Sequence, residues 1–166
     1  MPTSTPTQTS QKAMTKALLS AHQETITTYM YLGLLPFFAG AFGPWIFADN
    51  ETVLTDIFLH YSTIIYSFLA GSIWAIALFA HNSSNTEFIS RHIHAAILFS
   101  LLPFVGHFLP NFHHTGLAMA SFFILLFWEK LFLQDLYPNW YQALRHRITF
   151  IAVACHMLVL WNLMRT

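Results

Sequence analysis

The sequence predicts an all-α integral membrane bundle of five transmembrane helices, N-in/C-out, and three observations predict it. Of 166 residues, 55% are hydrophobic and only 8% charged, whereas a soluble domain carries roughly 25% charged side chains. Five apolar stretches approach the length of about 20 residues that a hydrocarbon core demands. The basic residues also gather on one side of those stretches, which sets the orientation. A mean hydropathy of +0.51 agrees. Seven Lys plus Arg balance seven Asp plus Glu, so the basic footprint of a nucleic-acid binder is missing. A lone cysteine, Cys155, excludes an intrachain disulfide framework.

Residues 1–25 open on a Pro, Thr and Ser run of low complexity that cannot bury a core, and they read as a disordered polar cytoplasmic tail. Within it, residues 11–22 offer the alternative of an interfacial helix, with Met14, Leu18 and Leu19 near one face and Lys12 and Lys16 for headgroups. The five-helix domain then fills residues 26–166, with spans at about 29–47, 57–79, 93–109, 117–133 and 148–163. About 25 mostly polar residues precede the first apolar stretch, which marks it as a retained span rather than a signal peptide. Lys12, Lys16, Arg91, Arg145 and Arg147 fall on one side, with Lys130 near them. Asp49, Glu51 and Asp56 collect on the other, where only Arg165 is basic.

The first and third spans both carry Leu-Leu-Pro-Phe in the same membrane direction, around Pro36 and Pro103. Each proline removes a backbone hydrogen bond, so each helix should kink and its freed carbonyl should find a neighbour. The repeat reads either as a duplicated two-helix unit or as coincidence between apolar segments. On the second span Ser67, Gly71 and Ala75 are spaced by four, an arrangement that lets helix backbones approach. His60, Ile64, Trp74 and Leu78 follow on or near that face, which predicts that His60 turns inward.

Ten histidines are the compositional oddity that could carry chemistry. His60, His107, His113 and His114 fall at one membrane level, with Asp56 one turn from His60, a donor set suited to zinc, copper or iron, or to haem. The bland alternative is interfacial histidine, since no metal-motif spacing fixes the four. His81, His92, His94 and His146 occupy the opposite side. His156 lies beside Cys155 in mid-span, where a neutral imidazole bonded to a neighbouring helix is the favoured reading over a functional group. Glu129 and Lys130 read as snorkelling charges beside Trp128, with Trp74, Trp140 and Tyr141 in the aromatic belt. No nucleophile triad or phosphate loop is visible, which leans against an enzyme.

The fourth loop carries the most specific pattern: Asp135, Pro138, Trp140, Tyr141, Leu144 and Arg145, then Thr149 entering the last helix. With the Leu-Leu-Pro segments and residues 66–78, this resembles an uncharacterised bacterial inner-membrane family, the domain of unknown function 3429, which includes eukaryotic transmembrane protein 69. Where its members often place a second glycine and a polar residue, this chain has Ala70 and Ile73. The resemblance implies five helices in the bacterial inner (cytoplasmic) membrane and imports no activity. In the loop itself, Asp135 and Arg145 are expected to pair across the turn, with Pro138 stopping one helix. The pattern serves either as a topological clamp or as a docking surface. The leading expectation is a non-enzymatic accessory or assembly component, with the lipid bilayer and a membrane-protein partner or a second copy as its contacts. The alternative is a metal- or haem-binding protein, and the third a small transporter using the kinks.

Overall fold

A computed structural model of the chain describes residues 8–80 and 86–165. Among these, seven α-helices follow one another: α1 Gln8–Ala21, α2 Gln23–Leu32, α3 Leu35–Ile46, α4 Glu51–Ala80, α5 Thr86–Gly106, α6 Asn111–Phe132 and α7 Asn139–Leu163. Short 3-10 turns, Ala48–Asn50 and Gln134–Leu136, precede α4 and α7. α1 lies where either a loose tail or an interfacial helix was expected. α2 and α3 together make the first apolar crossing, and the five crossings, Gln23–Ile46, Ala48–Ile76, Glu87–Gly106, Asn111–Phe132 and Asn139–Leu163, are each long and apolar enough to span a membrane.

Most crossings begin earlier than hydropathy suggested, because their polar first turns are helical too. A helix satisfies its own backbone wherever it lies, so the polar turn costs the fold little. The last helix shows the largest shift, starting at Asn139 rather than near residue 148. The extra turns carry Tyr141 and Arg145, and they tolerate burial because both side chains meet partners described below.

α4 is the central helix, packed against α3, α5 and α6, while α7 closes the bundle against α6, α3 and α2. Phe37, Phe58, Tyr66, Ile73, Phe122 and Val159 form its buried centre. Ala70 and Ile73 are wholly buried there, so these two departures from the family pattern are core residues. Phe68, Leu98, Phe108 and Phe127 stand on the outside, more than half exposed. Outward apolar side chains of this kind are the rule in a lipid-solvated bundle and an anomaly in water.

The first Leu-Leu-Pro segment breaks its helix and the second does not, and an α4 hydroxyl reaches a carbonyl in each. Gly33 and Leu34 interrupt the first crossing, so Pro36 falls in the first turn of α3, where a missing N–H has no helical partner to lose. The Gly33 carbonyl, left outside the ladder, accepts a 2.8 Å hydrogen bond from the Tyr61 hydroxyl. Pro103 stays inside α5, and the Ser100 carbonyl accepts a 2.9 Å bond from Ser67 Oγ. In each case the carbonyl bonded is three residues before the proline, and the donor is an α4 hydroxyl. A further helix proline, Pro44, lies in α3.

Along the small-residue stripe of α4 the neighbours differ from place to place. A Cβ on Gly71 would meet nothing within 4 Å, although neighbouring Ser67 does reach α5. Glycines on α3 are closely approached by α4 side chains: a Cβ on Gly40 would stand 2.8 Å from Phe58 and one on Gly43 would stand 3.2 Å from Leu54. The expected inward face of α4 is likewise corrected. Ile64, Trp74 and Leu78 are exposed, His60 is exposed as well, and the buried face runs through Phe58, Leu59, Ser62, Tyr66 and Ile73. Apolarity cannot tell inside from outside when the solvent is itself hydrocarbon.

Candidate functional site: a buried ion pair beside a lateral cavity

At the end of the bundle where α6 turns into α7, Leu133 and Leu136 are buried and the chain reverses through the Gln134–Leu136 turn. Pro138 adopts an extended conformation ahead of α7, which ends the turn and starts the helix. Gln142 Nε2 then reaches back to the carbonyls of Gln134 at 2.7 Å and Tyr137 at 3.2 Å, tying the turn to the first turn of α7. Trp140 Nε1 donates to Ser20 Oγ at 3.3 Å and so fastens α1 to the same corner.

One step deeper, Arg145 of α7 grips Glu129 of α6 in a two-pronged pair, Nε to Oε2 at 2.9 Å and Nη2 to Oε1 at 3.1 Å. The side chains are only 5% and 6% exposed. The expected partner, Asp135, is exposed in the turn and takes no part, and Glu129 is no snorkelling charge. The correction follows from depth. Arg145 lies six residues into α7, about 9 Å along its axis, level with the last full turn of α6 rather than with the turn that joins them. Lys130, next to Glu129, does face outward as expected.

Three tyrosines surround the pair: Tyr66, Tyr137 and Tyr141 all interact electrostatically with both Glu129 and Arg145. Tyr137, in the turn between the crossings, is held well above the usual tyrosine range, first by burial and then by the Glu129 carboxylate. A small hollow next to the pair is lined by Lys130, Gln142 and His146. On another side, Arg145 and Thr149 border a cavity of about 210 Å³ between the α2–α3 break, α4 and α7.

The mid-bundle histidine resolves as the favoured reading had it. His156 is fully buried among Phe37, Phe58 and Phe122. Its Nδ1 lies 2.7 Å from the Ala152 carbonyl, so that nitrogen carries the hydrogen, and Nε2 accepts from Ser62 Oγ at 2.8 Å. Cys155 beside it is buried and free.

At the opposite end, the structure brings three of the four candidate metal ligands together. His107 packs against His60 and against His114, with ring centroids 4.8 Å apart in each case. His113 stands apart, exposed and packed on Phe112. His60 Nδ1 bonds the Asp56 carbonyl at 2.7 Å, and Asp56 Oδ1 accepts from Asn111 Nδ2 at 2.9 Å. His114 is buried against Gly106, and its Nε2 has no hydrogen-bond partner among the described residues. Among the described residues, no group of three or more His, Cys, Asp or Glu is placed to hold a metal ion. Near this end Asn162 donates to Glu51 at 2.8 Å, and Arg165 stacks over Trp45 at 5.1 Å. Of the other histidines, His92 is buried near Trp128, His94 is exposed, His146 bonds the Gln142 carbonyl at 2.7 Å, and His81 lies outside the described residues.

The chain is therefore a helical protein with five crossings, closed by polar locks at its loop end and its centre. It belongs to the family described as Protein of unknown function (DUF3429), whose profile matches residues 22–161. The match takes in both Leu-Leu-Pro segments, the Glu129–Arg145 pair and the buried His156. No curated protein and no solved structure matches the chain.

Sequence reasoning missed three features: Ser62 as the partner of His156, Glu129 as the partner of Arg145, and the cavity. The first two left a signal, since a charge or imidazole deep in a span must find a partner of matching depth on another helix. The cavity left none.

Proposed function

We propose that the chain is a non-enzymatic accessory or assembly component of a membrane complex, acting through contacts inside the bilayer. The observation that carries this reading is the inward closure of its deepest polar groups: Glu129 on Arg145 and His156 on Ser62. What the bundle offers to its surroundings along the crossings is apolar, including Phe68, Leu98 and Phe127. In this reading the membrane is the bacterial inner membrane, the α6–α7 loop faces the cytoplasm with the N-terminus, and the partner is a membrane protein or a second copy. The test is photo-crosslinking in native membranes from positions 68 and 98, followed by sizing in mild detergent. A discrete larger complex carrying the crosslink supports the reading; a protein that migrates as a monomer with crosslinks to lipid alone overturns it.

A second reading has its own observation. His60, His107 and His114 form a contiguous imidazole cluster with one buried, unpartnered nitrogen. A metal or haem function would need these rings to turn until their nitrogens converge. Metal content and haem absorbance of untagged protein, compared with His60→Ala, decide it. Stoichiometric metal or haem that falls in the variant supports this reading, and content unchanged by the substitution refutes it.

A further inference from the structure

Of the residues lining the cavity beside the ion pair, Tyr29 and Phe68 are 70% and 73% exposed, on the outer surface of the bundle. Its mouth is therefore lateral, toward lipid, rather than toward either end. Its floor carries two polar side chains, Arg145 and Thr149, which are 4% and 2% exposed. The guanidinium spends Nε and Nη2 on Glu129, and among the described residues Nη1 has no partner. The Thr149 hydroxyl also makes no hydrogen bond to the described chain, unlike Thr115 and Ser121, which bond the carbonyl four residues back on their own helix. Two donors on buried residues thus border an apolar, lipid-facing cavity, with no acceptor for them among the described residues. A buried donor left in that state is costly, and a ligand acceptor removes the cost.

From this geometry we infer that the cavity binds the head of an uncharged, flat carbonyl compound with an apolar tail, the chemistry of a membrane quinone. Three features select that class. Glu129 already balances the charge of Arg145, so the floor favours a neutral acceptor over an anion or a cation. The walls include the rings of Phe37, Phe122, Phe68 and Tyr29, suited to a flat ring. The volume of about 210 Å³ has room for roughly seven water-sized groups, enough for one substituted ring and too little for a whole lipid. The tail leaves through the mouth into the bilayer. The inference stands on the cavity and is independent of any protein partner.

The test uses the full chain in phosphatidylcholine nanodiscs, titrated with decylubiquinone and labelled with a photoreactive azidoquinone. Saturable labelling of residues 29–37 and 145–152, displaced by decylubiquinone, is expected. Thr149→Val should weaken decylubiquinone binding about five-fold, the loss of one hydrogen bond, without moving the thermal midpoint. Ala152→Phe should fill the cavity and abolish labelling; if that variant does not fold, Thr149→Val decides. Decylbenzene, which keeps a ring and tail and lacks the carbonyls, should not compete. Non-saturable labelling, equal affinity in Thr149→Val, or competition by decylbenzene overturns the inference. A phospholipid retained at one per chain that decylubiquinone cannot displace overturns it too.

Discussion

Replacing Glu129 by Gln would keep the size and polarity of the side chain and remove only its charge, leaving the Arg145 guanidinium buried without a counterion. The pair is bidentate at 2.9 and 3.1 Å. Charges about 4 Å apart at an effective dielectric near 20 interact by about 4 kcal/mol. Breaking one side of such a buried pair costs about 3–5 kcal/mol, a large share of the 5–15 kcal/mol that typically separates folded from unfolded states. Removing both charges together, with Glu129→Gln and Arg145→Met, removes the orphaned charge and leaves only an unpaired amide at position 129, so the double variant should lose about 1–3 kcal/mol, less than the two single losses together. The assay is a double-mutant cycle of reversible unfolding in bicelles, with each single and the double variant measured under one lipid composition. The reasoning fails if either single variant loses less than about 1 kcal/mol, or if the two losses add.

Three further outcomes are expected. Gly106→Ala would place a Cβ 2.6 Å from His114 Nε2, a collision with a buried ring that should cost about 1–3 kcal/mol, read as a lowered thermal midpoint; Gly71→Ala, with open space around it, should be tolerated. Ser62→Ala would leave His156 Nε2 buried without its donor and should destabilise by about 1–3 kcal/mol, whereas Ser90→Ala, on an exposed surface, should not. For Tyr137, whose folded pKa lies above its unfolded value near 10, the contribution is complete below pH 10 and is lost as pH rises through the folded value. Stability should therefore begin to fall above about pH 10, and Tyr137→Phe should flatten that fall in a pH series of thermal midpoints.

The number of crossings was legible because membrane thickness imposes a length on each apolar stretch, and five such stretches stand apart in this chain. The partnered His156 was legible for a related reason: in hydrocarbon every polar group needs a partner. Which partner was not legible. Asp135 is ten residues from Arg145 and Glu129 is sixteen, yet the more distant one wins because helix rise sets depth. The inward face of α4 was misread because lipid removes the apolar contrast that marks a core in water. Of the small residues at 67, 71 and 75, Ser67 does reach α5, while Phe58 and Leu54 press against Gly40 and Gly43 of α3, a contact with no spacing signal in α4. Of the histidines expected at one level, His60, His107 and His114 pack together, but level does not fix azimuth, and His113 packs on Phe112 instead.

The hydroxyls of Tyr61 and Ser67 lie six residues apart on α4, and each holds the carbonyl three residues ahead of a proline on a different neighbour. Six residues on a helix rise about 9 Å, so the two grips lie at separate heights on one shaft. Rotating that shaft would loosen both grips in the same movement. The two proline segments, far apart in the sequence, therefore share a single support.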